Sequence, residues 1–299
     1  MSDPAHPHPG NGRLYALLAL MLVLWSANYI IGKVILREVP GTLASALRLV
    51  FSTVAMIPIY VWSRRRGYSQ PHPPRTLLRL GALGVIGVGL NQLSFLAGLS
   101  RTSVAHAALI IALTPALVLL IASFSGLERV TRWKAGGLCL AIAGVGILQL
   151  NPAKFEGATL LGDFFMFVCA FTFAFFTVAG KSVTSRFDTV TMTTFAYGAS
   201  ALTVSPVILA AHHGFAYSSV SATTWASLIY MAWIPSLLGL SIYYYALRYI
   251  PASRVSLQSY AQPLVATLLA VLLLGEPVTG GVLASGGLVL SGVFVAGRR

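Results

Sequence analysis

Acidic side chains are what this chain has least of. Asp and Glu number 7 in 299 residues, and charged residues of both signs make up 9% of the total. A soluble domain carries about 25% charged residues, so a solvated globular domain is excluded. The seven acids are Asp3, Glu38, Glu128, Glu156, Asp163, Asp188 and Glu276, and none falls in the middle of an apolar run. That pattern argues against the buried carboxylate relay of many proton-driven pumps and favours facilitated export or exchange. Cysteine is also scarce: Cys139 and Cys169 both sit in apolar runs, as small hydrophobes rather than parts of a disulfide framework. No GxxxxGK[ST] run occurs, which removes a P-loop and ATP as the energy source. His6 and His8 in the polar tail "MSDPAHPHPGNGR" are too few for a metal site, so neither metal nor cofactor is expected. An intramembrane enzyme needs a catalytic pair, and His106, the one mid-chain histidine within a span, has no carboxylate near it in sequence; an enzyme is not expected.

What the chain has in abundance is apolar length. Hydrophobic residues make up 57% of it, in repeated runs of roughly 18 residues or more, each able to cross a hydrocarbon core of about 30 Å as a helix. Backbone polar groups in lipid must be satisfied within the segment, and no barrel-like alternation is visible, so the spans read as helices. Ten are expected, over residues 14–34, 41–62, 79–99, 103–124, 134–150, 161–180, 190–211, 226–247, 253–274 and 278–296. The first is too long for the core of a signal peptide and reads as a retained span. The net charge of +13 does not point to nucleic acid, because the basic residues lie in short loops rather than along one stripe. They gather on one side of the membrane: Arg64, Arg65, Arg66, Arg129, Arg132 and Lys134 share it with both termini, against Lys33, Arg37, Arg101 and Lys154 opposite. Basic loops stay in the cytoplasm, so both termini are expected there.

The chain also says one thing twice. "LTPALVLLIASFSGLERVT" at 113–131 returns as "AQPLVATLLAVLLLGEPVT" at 261–279, an offset of 148 residues (Pro115 to Pro263). At that offset Lys33 falls on Lys181, Pro58 on Pro206, Glu128 on Glu276 and Thr131 on Thr279. Leu on Leu means little in an apolar chain, whereas rare residues coinciding at one fixed offset mean a duplication. Residues 1–13 are read as a cytoplasmic tail of low order, 14–150 as a first five-helix repeat and 161–296 as a second. Five spans is an odd number, so the second repeat enters the membrane inverted, which is the architecture of secondary transporters with a midplane site.

Both repeats end in proline, an apolar run, Glu, x-Val-Thr and a glycine-bearing last helix ("LERVTRWKAGG", "GEPVTGGVLASGG"). With "WSANYIIGK" and "ALRLVFSTVAMIP" in the first two spans, the chain resembles the EamA family of the drug/metabolite transporter superfamily over residues 14–296. The resemblance implies an all-α bacterial inner-membrane exporter of amino acids or other small metabolites, with spans 3, 4, 8 and 9 lining a central cavity. It is most like the amino-acid exporters of that family; export of drugs or nucleoside-like metabolites through the same fold is the alternative. The implied partners are a small-molecule substrate and the lipid bilayer, for a protein working as a monomer.

Several polar residues inside the spans are candidates for binding. Arg48 lies about 10 Å into the second span at 1.5 Å per residue. A charge there costs at least a few kcal/mol unless it faces protein or water. Its repeat counterpart is Ala196, so two roles stay open: a structural clamp or snorkelling side chain, and an anchor for a substrate carboxylate. Asn91 and Gln92 in the third span and Gln262 in the ninth are either helix-to-helix hydrogen-bonding groups or wall groups of a site. Gln258, Ser259 and Gln262 share a helical face, and Pro263 removes the amide that would bond the Ser259 carbonyl. Pro115 does the same to Ile111 in the fourth span, with Thr114 as the counterpart of Gln262. Prolines at matched mid-span positions, with freed carbonyls and kinks, point to a site and its gates. His106 is either a proton sensor or a hydrogen-bonded interfacial residue. Asn28 interrupts the first span beside Trp25, Ser26 and Tyr29, as packing or as cavity lining. Tyr243, with Tyr244 and Tyr245, is either part of an interfacial aromatic belt or turned to the cavity. The glycines of "GALGVIGVG" are expected to let helices approach closely, and Glu128 and Glu276 to be turn and cap residues.

Overall fold

The computed structural model describes residues 11–69, 72–127, 131–149, 159–183, 187–212, 214–256, 259, 261–275 and 280–296. Among them the regular structure is helical throughout, with no strand. In chain order the helices are α1 (Asn11–Ile35), α2 (Gly41–Arg65), α3 (Pro74–Gly84), α4 (Asn91–Leu99), α5 (Val104–Ile111), α6 (Thr114–Phe124) and α7 (Arg132–Gln149). They continue as α8 (Leu160–Val183), α9 (Thr189–His212), α10 (Ala222–Trp233), α11 (Leu240–Tyr249), α12 (Ala252–Ser256), α13 (Gln262–Leu274) and α14 (Gly280–Ala296). Among the described residues, seven stretches have the length and hydropathy to cross a bilayer: Gly12–Ile35, Gly41–Arg65, Pro74–Leu99, Val104–Phe124, Leu160–Lys181, Thr189–Ala210 and Ala222–Tyr249; Gln262–Leu274 is a shorter apolar helix.

The helices begin where the sequence supplies caps. Ser103 Oγ accepts from the His106 amide at the head of α5, Thr159 Oγ1 from Gly162 in α8, Asp188 Oδ1 from Thr191 in α9 and Ser221 Oγ from Thr224 in α10. Each satisfies an amide that the first turn leaves without an intrahelical partner. The third span starts at Pro74, earlier than the expected 79, because a proline at the first helical position lacks only a donor that the first turn does not use.

Two departures from simple spans matter most. The third and eighth spans carry π-helical stretches, Val85–Leu90 between α3 and α4 and Ile234–Gly239 between α10 and α11. The fourth and ninth spans, read in sequence as kinked helices, are broken: turn residues 112–113 separate α5 from α6, and α13 starts afresh at Gln262.

The duplication reappears in three dimensions. Helices start at Gly41 and Thr189, at Pro74 and Ala222, at Val104 and Ala252, at Thr114 and Gln262, and at Arg132 and Gly280, one offset for all five pairs. α2 packs on its own counterpart α9, and α7 on its counterpart α14, as a two-fold relation between halves allows for elements beside its axis. Polar contacts repeat as well. Ser52 Oγ donates to the Ala232 carbonyl at 2.9 Å, and its counterpart Ser200 Oγ to the Gly84 carbonyl at 3.1 Å. Both carbonyls lie at the entrance to a π-helical stretch, where the i to i+4 ladder is interrupted. Lys33 Nζ donates to the Thr102 carbonyl and Lys181 Nζ to the carbonyls of Leu247 and Ile250, so each lysine closes the turn after a bulged span.

The glycines of the third span let helices touch. A Cβ on Gly84 would lie 2.2 Å from Ala196 Cα, and one on Gly87 2.1 Å from Phe176 Cγ. The tight seat of Ala196 explains why the counterpart of Arg48 is small.

Candidate functional site

Two apolar clusters occupy the bundle. One gathers Ile35, Leu43, Leu96, Leu109, Met166 and Leu228; the other Met21, Leu49, Val118, Phe176, Tyr244 and Leu247. Along α1, α2, α8 and the broken fourth span the chain passes from one cluster to the other, and the polar residues sit at the crossing. A cavity of about 120 Å³ lies there, lined by Trp25, Asn28, Tyr29, Arg48, Asn91, Gln92, Phe95, Thr114, Cys169, Phe173, Tyr197, Ser236, Ser259 and Gln262, among others.

Of the residues singled out in sequence, Asn28, Arg48, Asn91, Gln92, Thr114 and Gln262 therefore meet at one cavity, with Trp25, Tyr29 and Ser259 named beside them. Pro115 and Pro263 are buried at the first turns of α6 and α13, so they stand behind the wall rather than in it. The Ile111 carbonyl that Pro115 cannot bond is taken by Thr114 Oγ1 at 2.6 Å. Tyr243 is not in the wall. It backs Trp25 and Phe173, with ring centroids at 5.6 and 5.1 Å, and shares a 2.7 Å hydrogen bond with Thr177. Trp25 and Phe173 also meet edge to face at 5.4 Å, so the three rings brace one another. His106 also lies away from the cavity, with Nδ1 2.8 Å from Asp163 Oδ1. Gln258, Glu128 and Glu276 fall outside the described residues.

Arg48 dominates the electrostatics of the wall. It is 5% exposed, and its Nε donates to Ser236 Oγ at 3.0 Å. It has no carboxylate within ion-pair distance among the described residues. A buried cation without a counter-ion costs several kcal/mol unless an anion or water reaches it. It is held in the cavity wall by a residue of the other half.

The amides show the complementary deficit. Gln92 Nε2 donates to Tyr197 Oη at 3.1 Å, and Asn91 Nδ2 to the Cys169 carbonyl at 2.8 Å. The oxygens Asn28 Oδ1 and Gln92 Oε1 are buried without a donor among the described residues. The wall thus combines one cation in need of an anion with two acceptors in need of donors. Around them stand Trp25, Tyr29, Phe95 and Phe173. The Trp25 indole is fixed by Nε1–H donation to the Pro235 carbonyl at 3.0 Å, beside Gly239, where a Cβ would come within 2.5 Å of Nε1.

Sequence reasoning missed Tyr197, Ser236 and Phe173, which come from the second half, and gave little weight to Trp25. A mid-span Ser after Pro235 was the one signal for Ser236 in the chain. The partnership of His106 with Asp163 had none, because 57 residues separate them.

The geometry has relatives. A family model described as the EamA-like transporter family matches the chain twice, over residues 12–150 and 160–298. A probable amino-acid metabolite efflux pump of Salmonella typhimurium is 27% identical over 288 residues, 93% of each chain. A probable terminal-alkyne amino-acid exporter of Streptantibioticus cattleyicolor is 27% identical over 283 residues, 94% of this chain and 92% of its own. An uncharacterized transporter of Archaeoglobus fulgidus is 28% identical over 95% of this chain and 97% of its own. A crystal structure at 20% identity superposes with a TM-score of 0.71 over 96% of both chains, a likeness of fold. With two family matches spread over two copies of one helical plan, the protein belongs to the EamA-like transporter family and is a multi-pass membrane transporter.

Proposed function

We propose that the protein exports amino acids, neutral or aromatic ones foremost, from the cytoplasm across a bacterial inner membrane. It does so as a monomer with ten spans in two inverted five-helix repeats, both termini in the cytoplasm. The observation that carries the substrate class is the wall: among the described residues Arg48 has no carboxylate within ion-pair distance, and Asn28 Oδ1 and Gln92 Oε1 have no donor. A zwitterion supplies both missing partners, its carboxylate to Arg48 and its ammonium to the amide oxygens. Thr114 and Gln262 stand at the breaks of the fourth and ninth spans, where local rearrangement changes the wall with little loss of backbone hydrogen bonding. The aromatic rings receive the side chain. Names of relatives that include amino-acid efflux and export support the same class.

Alternating access then amounts to exchanging which apolar cluster is parted, with the cavity between them as the fixed site. Driving force comes from the substrate gradient or from a counter-moving solute, with no nucleotide. The test is reconstitution of the purified protein into proteoliposomes loaded with labelled amino acids and challenged with a panel of metabolites, drugs and nucleosides. Saturable efflux of a neutral or aromatic amino acid, competed by its analogues, is expected. If no amino acid leaves faster than from protein-free liposomes while another compound does, the substrate class is wrong and the fold assignment stands.

A further inference from the structure

The geometry points to a proton-binding site formed by His106 and Asp163 at the seam between the two halves, separate from the substrate cavity. His106 is 2% exposed on α5 of the first half, and Asp163, with a side chain 12% exposed, is on α8 of the second. Their contact is 2.8 Å, and Thr102 Oγ1 lies 2.9 Å from the same Nδ1.

The surroundings are built to hold this arrangement. The Thr159 amide donates to the Arg101 carbonyl at 3.0 Å, which seats the head of α8 on the turn before α5. Gly162 makes that approach possible, since a Cβ there would lie 2.8 Å from the Arg101 carbonyl oxygen. Lys33 Nζ donates to the Thr102 carbonyl at 2.6 Å, placing a third helix against the pair.

Among the described residues, other ionisable groups nearby are few. Lys33 comes from α1 and is engaged with Thr102; Arg101 follows α4, donates to the Ala97 carbonyl and covers the Phe165 ring. Tyr29 on α1 packs against Phe95 nearer the cavity. α13 and α14 carry no ionisable side chain, and those of α7 (Arg132, Lys134 and Cys139) lie in its first half, toward the other end of the span. Cys169 and Lys181 lie farther along α8.

An imidazole changes charge between about pH 5 and 8. When His106 takes a proton from the outer solution, imidazolium and carboxylate tie α5 to α8; when the proton returns there, a neutral imidazole holds the carboxylate more weakly. The effect reaches the site through continuous helix. From His106 to Ile111 in the cavity wall is about 8 Å, and from Asp163 to Cys169 about 9 Å, at 1.5 Å per residue. External pH therefore sets how readily the outer ends of the halves part, and with it the rate of export. The outward placement of the pair rests on the orientation proposed above.

The test uses the full chain in proteoliposomes preloaded with labelled L-phenylalanine, exchanging against external phenylalanine while external pH is varied from about 5 to about 8. One linked proton gives a change of up to about tenfold per pH unit in the wild type, and His106→Gln and Asp163→Asn should both flatten it. A flat wild-type profile, or variants that keep the wild-type slope, overturns the proposal. Should His106→Gln not fold, Asp163→Asn carries the comparison. If no amino acid is exchanged at any pH, the substrate reading fails on its own. The site is then decided by the 15N shifts of the His106 ring: ionisation within that range, moved by Asp163→Asn, supports it, and a ring in one state throughout overturns it.

Discussion

Arg48 Nε donates to Ser236 Oγ at 3.0 Å, and this bond joins a cation of the cavity wall to the π-helical stretch of the opposite half. Ser236 in turn donates to the Met231 carbonyl at 2.8 Å, and its own carbonyl accepts from Tyr197 Oη at 3.3 Å. The guanidinium is thus oriented in advance, which lowers the cost of binding the proposed substrate carboxylate.

Arg48→Ala should remove substrate binding at the carboxylate. A hydrogen bond to a charged group contributes about 1.5–3 kcal/mol, so apparent affinity should fall by roughly 10- to 100-fold. Arg48→Lys should fall between, keeping the charge but losing the planar fork. Ser236→Ala should raise KM by less than Arg48→Ala does. Measured efflux kinetics decide it: wild-type rates in both Arg48 variants sink the anchor role.

Gly84→Ala should be among the most damaging small substitutions in the chain. The added methyl would lie 2.2 Å from Ala196 Cα and 2.8 Å from the Ala196 carbonyl oxygen, both backbone atoms that cannot rotate away. Overpacking of this kind costs about 1–3 kcal/mol or more. Gly214→Ala, with nothing within 4 Å of the new atom, is the control. Thermal unfolding in detergent should separate the two clearly, and equal midpoints would refute the close helix contact.

Ser52→Ala and Ser200→Ala should each cost about 1 kcal/mol, because each leaves a carbonyl at a π-helical entrance with one bond fewer. The two sites lie in different halves and share no partner, so the double variant should add to within about 0.5 kcal/mol. Strong non-additivity in unfolding midpoints would show that the two bulged spans are energetically linked.

Glu38 offers a pH test outside the membrane. Its carboxylate accepts from the Ser221 amide at 2.7 Å and from Ser221 Oγ at 2.8 Å, and the amide bond foremost holds its pKa below the ordinary 4.5. A depressed carboxylate pKa adds stability that is fully present above the unfolded value and is lost as pH falls through the lower folded one. The gap in unfolding midpoint between wild type and Glu38→Gln should therefore be constant near neutrality and close below about pH 4.5. A gap that widens on acidification would mean that the contact is not an ionised cap.

The sequence made the repeat legible because rare residues coincide at one offset, and the structure keeps that register down to the first residues of five helix pairs. The breaks at Thr114 and Gln262 were signalled by the prolines that follow them. Their depth was not, since a missing amide sets only that a hydrogen bond is lost, and packing decides whether the helix bends or stops. Asn28, Arg48, Asn91, Gln92, Thr114 and Gln262 stood out because polar groups in apolar runs are costly. Tyr197 and Ser236 did not, because a serine hydroxyl is readily satisfied within its own helix and a tyrosine is ordinary in an apolar run, and only docking of the second half brings them to Arg48 and Gln92. Lys33 and Lys181 were visible as a coincidence, yet their carbonyl partners at Thr102 and Ile250 required the turns to be folded.

The exchanged serine bonds carry one more consequence. Swapping the halves maps Ser52 with Ala232 onto Ser200 with Gly84, so this polar stitching is degenerate: under the proposed alternating access it favours neither half. A carrier that visits two conformations needs them to differ by only a few kcal/mol, and degeneracy in the scaffold provides that starting balance. Arg48 opposite Ala196 breaks it. Arg48, the charged side chain among the described residues of the wall, has no charged counterpart in the other half, so on the proposed substrate reading cargo binding is where the molecule acquires a direction.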